Sequence, residues 1–150
     1  MAIAAGASAL GLVSSMPSGP GVIADHLIAE IAAAVPPPVA TFLLTALQNA
    51  DAIAQQHALC RTSVIQLVDA LPFAQLQKLR TLLPGIKLVQ VIHVAQQNSL
   101  DEALQVAPYI DALLLDSGNP NLAVKELGGT GRTHDWAVSR QICEKAPVPT

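Results

Sequence analysis

At 150 residues and 51% hydrophobic content, the chain is long enough to bury one ordinary core without disulfides or a structural metal. Its formal charge of −3, the scatter of its 8 Lys and Arg, and the small set of aromatic residues (Phe42, Phe73, Tyr109, Trp136) leave neither a basic patch nor a stacking platform, so nucleic acid is not an expected partner. No apolar run reaches the roughly 18 residues of a membrane helix, and no Lys or Arg precedes Arg61 to supply the basic start of an export signal. Cys60 and Cys143 make no C-x-x-C or metal-ligand spacing and read as reduced structural thiols. The expectation is a cytoplasmic protein with no membrane partner, no metal and no cofactor.

Residues 1–8 read as the tail of a helix leading into a strand over 9–13. A helical pattern over 22–35, rich in Ala and Ile, stops at Pro36-Pro37-Pro38, which cannot continue a helix. Strands follow at 39–44, 63–68, 86–94 and 111–115, each a near-continuous Val/Ile/Leu run of the kind buried on both faces of a parallel sheet. Between them lie helices at 49–59, 72–83 and 99–106. In the second of these, Phe73, Leu76, Leu79, Leu82 and Leu83 share one face while Gln77, Lys78 and Arg80 are expected to face water. Asp101 and Glu102 in the next helix complement its dipole and need no functional reading. Strand starts recur about every 25 residues, which fits a strand-helix unit and not a hairpin with its 2–5-residue connection.

Repeated βα units leave two architectures, an open doubly wound sheet or a (β/α)8 barrel. The early G-x-G-x-x-G turn of a dinucleotide-binding sheet is lacking. A barrel typically takes about 250 residues, so this chain has room for a partial barrel, treated as one domain over residues 1–150. Pro147-Val148-Pro149-Thr150 reads as the entry to a further strand.

The strand Leu113-Leu114-Leu115-Asp116 delivers a carboxylate to its C-terminal tip, where barrels carry their chemistry. After it come the turn residues Ser117-Gly118-Asn119-Pro120, then Gly128-Gly129-Thr130-Gly131, and then Asp135-Trp136 opening a helix. By itself the aspartate reads as a loop cap and the glycine run as a hinge. Asp135 reads as a helix N-cap, Trp136 as a packing anchor against the barrel wall, and His134 as a packing residue. His93 reads either as an inward-facing strand residue near the site or as a satisfied core histidine, and the second is favoured. His26 and His57 share no ligand spacing with it.

Taken together, the LLDS strand end and the GGTG-x-x-x-DW junction resemble the phosphoribosylanthranilate isomerase family of tryptophan biosynthesis. The resemblance runs along essentially the whole chain and implies a (β/α)8 barrel, here a partial barrel covering about strands two to six and incomplete at both ends. It implies an Amadori rearrangement of a small phosphoribosyl substrate, with Asp116 as the acid that opens the sugar ring and Gly128, Gly129, Thr130 and Gly131 bordering the substrate. That acid would need its pKa raised by burial. The family's base, a cysteine ending strand one, has no counterpart: Cys60 precedes a strand and Cys143 sits late in a helix. Two further departures are visible. Ser14-Ser15-Met16-Pro17 stands where relatives often have serine-proline-arginine, and Val68-Asp69 stands where many have His-Gly. The phosphate loops after strands seven and eight are not represented, so the resemblance implies little activity for this chain alone. Rival readings are a non-catalytic barrel remnant that self-associates through exposed edges, and another phosphosugar-handling barrel enzyme.

Overall fold

The computed structural model describes residues 1–17, 21–94, 98–119, 122–127 and 133–150. Five strands, β1 (Ala9–Val13), β2 (Ala40–Thr45), β3 (Val64–Leu67), β4 (Lys87–His93) and β5 (Ala112–Asp116), pair in sequence order. Every pairing is parallel. Helices α1 (Asp25–Ala34), α2 (Ala50–Cys60), α3 (Phe73–Leu82), α4 (Ser99–Val106) and α5 (Trp136–Lys145) alternate with the strands. This is part of a (β/α)8 barrel, with β1 and β5 as its edges. Residues 1–8 contribute a single 3-10 turn, Ile3–Ala5, closed by Gly6 at φ 91, a left-handed conformation that glycine adopts at no steric cost.

Alternation along each strand sorts the side chains into two layers. On the helix side, Ile65 and Leu67 of β3, Leu88 and Ile92 of β4 and Leu113 of β5 join Leu76 and Leu79 of α3, Ala103 and Val106 of α4 and Val138 and Ile142 of α5 in the main core. Leu12, Leu43, Ile28 and Cys60 form a second cluster under α1 and α2. Each fully buried Leu or Ile contributes on the order of 1.5–3 kcal/mol, so this layer carries most of the fold's stability. The opposite parity, including Phe42, Leu44, Val68, Val89, Val91 and Leu114, points to the barrel interior. At its upper end Val68, Val91 and Leu127 are buried together against Met16, Leu44 and Ala46. Lower down the interior is open, and Leu114 is 37% exposed.

The helix ends follow local chemistry. Asn49 accepts the Ala52 N–H at the start of α2, and Asp135 accepts the Ala137 and Val138 N–H groups at the start of α5, as an N-cap should. The last residues lie beside β5, where the Leu113 N–H donates to the Pro149 carbonyl at 2.8 Å and Val148 packs on the main core. The tail therefore enters the sheet's β5 edge as a strand would.

One expectation is corrected. Arg80 is only partly open to water. Its guanidinium donates to the carbonyls of Tyr109 and Ile86 and to the Asp111 carboxylate. Asp111 in turn accepts the Leu88 N–H and the Lys87 ammonium, while its own N–H donates to the Leu88 carbonyl. This clamp joins the end of α3 to the first residues of β4 and β5. Burial works to raise the Asp111 carboxyl, but the Leu88 N–H, Lys87 and Arg80 outweigh it and hold the group down at about 2.

Because the folded pKa is depressed below the ordinary value of about 3.9, the clamp's contribution is fully present above that pH and is lost as pH falls through about 2. Asp111→Asn should cost on the order of 1–2 kcal/mol at neutral pH and flatten the acid limb of the stability curve. Urea denaturation between neutral pH and the acid limb checks both, and an unchanged acid limb would count against the clamp.

Candidate active-site mouth

The C-terminal ends of β3, β4 and β5 come together with the loop that follows β5. Asp116 ends β5, and its register partner on β4 is His93. Partnered residues on adjacent parallel strands share a face, so both side chains belong to the barrel interior. The Asp116 carbonyl accepts the Val94 N–H at 2.8 Å, which extends the ladder one step beyond the strands. Its carboxylate Oδ1 accepts the Ser117 N–H at 2.6 Å. The turn reading of Ser117 and the strand-tip reading of Asp116 thus describe the same carboxylate, half-buried at the mouth.

The glycine run Gly128-Gly129-Thr130-Gly131 lies outside the described residues. The residues flanking it are placed. Leu127 is buried among Val68 and Val91, while Asn119 and Glu126 form an antiparallel bridge in which the Glu126 N–H donates to the Asn119 carbonyl. Lys125 forms an ion pair with Asp69, which is 7% exposed and also accepts the Gln48 side-chain amide. Val68-Asp69 stands where many members of the resembled family have His-Gly. The Asp69 carboxylate ties the β5–α5 loop to the end of β3.

His93 is partly what the sequence suggested. The ring is 8% exposed and its Nε2 lies 2.9 Å from the Val68 carbonyl. A carbonyl only accepts, so Nε2 carries the proton and Nδ1 of the neutral ring is bare. Nδ1 is buried and has no hydrogen-bond partner among the described residues. The histidine is therefore half satisfied, and it stands at the mouth. The signal was available in the alternation of Val89, Val91 and His93, which puts the three on one face.

Trp136 is not the expected packing anchor. It is 70% exposed, and its ring lies tilted by 39° against that of His134 with centroids 4.7 Å apart. Together with Phe42, Val89, Leu114 and Cys143 it lines a groove of about 740 Å³ beside β5. Ser14 is buried and donates to the Leu44 carbonyl at 2.7 Å, so it serves the β1–β2 junction.

Neither cysteine stands beside Asp116. Cys60 closes α2 at the opposite end of the strands and is fully buried, and burial, with the Asp25 charge adding to it, pushes its thiol up to about 11. Cys143 is exposed on α5. Among the described residues there is no group of three or more His, Cys, Asp or Glu able to hold a metal ion, and no helix is long and apolar enough to cross a membrane.

No protein-family model matches the chain. A curated protein of Methanocella arvoryzae, N-(5'-phosphoribosyl)anthranilate isomerase, is 29% identical over 144 residues, covering 96% of this chain and 65% of that protein. The chain thus spans less than two thirds of that relative's length. The solved phosphoribosyl anthranilate isomerase of Thermotoga maritima superposes with a TM-score of 0.72 at 22% identity, over 91% of this chain and 62% of the other. A further phosphoribosyl anthranilate isomerase structure, bound to reduced 1-(o-carboxyphenylamino)-1-deoxyribulose 5-phosphate, matches with a TM-score of 0.66 at 20% identity, over 77% and 56% of the two chains. The structural likeness is one of fold.

A thiol reagent separates the two cysteines. The native chain should titrate one rapidly reacting thiol, Cys143, with Cys60 reacting only after denaturation. Two fast thiols in the native state would contradict the buried placement of Cys60.

Proposed function

We propose that this homologue of the phosphoribosylanthranilate isomerases supplies the acid half of an aldose-ketose rearrangement of N-(5-phosphoribosyl)anthranilate, with Asp116 as the acid. The observation that carries the reading is the position of Asp116, inward-facing at the C-terminal tip of β5 in a parallel barrel sheet. Barrel enzymes do their chemistry at that end of the strands. The ligand bound by one solved relative, a deoxyribulose 5-phosphate carrying a carboxyphenylamino group, supports a phosphoribosyl substrate of the same class.

The chemistry asks for one proton in and one proton out. Asp116 as the carboxylic acid gives its proton to the furanose ring oxygen, the C1–O bond breaks, and the anthranilate nitrogen's lone pair forms an iminium. Loss of the C2 proton to a base yields an enolamine, which tautomerises to the aminoketose. General acid catalysis of this kind is worth about 10²–10⁴-fold. Gly128, Gly129, Thr130 and Gly131 are proposed to border the substrate, where small residues let backbone amides approach it closely. No cysteine in the chain stands at the mouth to take the C2 proton, so the chain alone is expected to turn over little substrate.

The acid role is tested by joining residues 1–150 to the flanking segments of the Methanocella arvoryzae relative, which extends beyond the matched 144 residues. The chimaera should be an active isomerase whose Asp116→Asn form loses about 10²–10⁴-fold in kcat with KM little changed. Full turnover by the Asn form would overturn the assignment.

The β5 edge supports self-association. Leu114 and Trp136 are exposed along the groove of about 740 Å³, and an exposed apolar patch of this kind invites another chain. Size-exclusion chromatography of the 150-residue chain should show dimers or larger species that shift toward monomer on Trp136→Lys. A monomer at all concentrations would contradict this.

A further inference from the structure

Just beyond the end of β3, Asp69 holds a carboxylate that is 7% exposed and met by three donors. The Ala70 N–H gives to Oδ1, the Gln48 side-chain amide gives to Oδ2, and the Lys125 ammonium pairs with Oδ2. The backbone around the carboxylate is held as firmly. Gln48 also donates to the Ala70 carbonyl, and the buried Gln90 amide donates to the carbonyls of Leu67 and Asp69. Side chains from β4 and from the loop between β2 and α2 thus fix the anion in place, and the cation that meets it arrives from the loop after β5.

The same loop carries the turn at Asp116. Its outgoing leg starts at Ser117, whose N–H donates to the Asp116 carboxylate, and continues through Gly118 and Asn119. The returning leg lies against it, where the Glu126 N–H donates to the Asn119 carbonyl in an antiparallel bridge. Gly118 is buried where the two legs meet. A Cβ built there would collide with the Glu126 carbonyl oxygen and with the His93 ring, so the legs approach as closely as glycine alone permits. Leu127, the next residue of the returning leg, is buried against Val68 and Val91. Lys125, Glu126 and Leu127 therefore touch, in succession, the Asp69 carboxylate, the outgoing leg and the barrel interior.

We propose that Asp69 is a positioning residue for Asp116: through Lys125 it docks the returning leg on the end of β3, and the Asn119–Glu126 bridge passes that placement to the turn that begins at Asp116. Unequal burial drives the docking. Lys125 is 40% exposed but Asp69 is not, so lifting the loop leaves a buried carboxylate without its countercharge, which is strongly unfavourable. A fully exposed ion pair would confer little of this preference. The inference rests on the acid reading of Asp116, and only the kinetic arm of its test depends on that reading.

NMR and amide exchange on the 150-residue chain test the docking. Asp69→Asn keeps an acceptor oxygen and removes the charge, and Lys125→Met removes the cation. Each should shift the Ser117, Gly118 and Asn119 amides and speed exchange of the Glu126 amide about tenfold or more, as for the loss of one charged hydrogen bond. The Leu88 and Asp111 amides at the other end of the sheet should stay still. In the chimaera with the Methanocella arvoryzae segments, each substitution should lower kcat by about 10-fold to 100-fold with KM little changed. The double variant should lose no more than the worse single one, because both cut the same link, and Lys125→Arg should retain most of the turnover. Additive losses in the double variant, Ser117 and Gly118 amides that do not move, or Lys125→Arg as impaired as Lys125→Met would overturn the proposal. Should no substituted chain fold, the unsubstituted one decides: a nuclear Overhauser effect between the Lys125 side chain and the Gln48 amide is expected, and its absence would contradict the docking. Failure of the acid reading would show separately, as full turnover by the Asp116→Asn chimaera.

Discussion

The parallel pairing of β4 with β5 is the contact on which the mouth depends. Its register, Val89 with Ala112 through His93 with Asp116, is fixed at the lower end by Asp111, whose carboxylate and backbone N–H both bond Leu88. Side chains alternate along a strand, so a slip by one residue would turn Asp116 out of the interior and bring Leu115 in. The Arg80–Asp111–Lys87 cluster, far from the chemistry, thereby decides which way the carboxylate points. Burial of Leu88, Ile92 and Leu113 under α3, α4 and α5 opposes the same slip from the helix side.

Much of this was legible in the residues. The β1 range coincides with the run read from sequence, and α4 with its helical pattern, because each is bounded by unambiguous punctuation. The other strands differ by a residue or two at their ends, as Val39, Ser63 and Ile86 are apolar or small residues that sit just outside the ladder. The fate of Arg80 was not legible. A helical wheel assigns it to the polar face, and only the tertiary position of Asp111 turns it inward. Trp136 misled for a related reason: its size argues for burial, but the surface it would cover is the groove beside β5.

The candidate site shows the same division. Asp116 at a strand tip could be read directly, since strand end and turn chemistry are local. The pairing of His93 with Asp116 needs the register of two strands 23 residues apart, and the dependence of Gly118 on His93 needs the loop's path as well. The Asp69–Lys125 ion pair spans 56 positions and had no sequence signal. With it, a departure from the resembled family becomes intelligible. Asp69 serves as an anchor for the loop carrying Lys125 and Leu127, so the mouth is shaped by a charge pair and an apolar plug together.

That the strand ends around Asp116 and His93 form the ligand-binding face can be tested by titrating the isotope-labelled chain with reduced 1-(o-carboxyphenylamino)-1-deoxyribulose 5-phosphate, the compound bound by one solved relative. Amide shifts should change at the ends of β3, β4 and β5 and in the loop that follows Asp116, and the Arg80–Asp111 end should stay still. Changes confined to the Asp111 end or to the groove beside Trp136 and Cys143 would contradict the placement of the site.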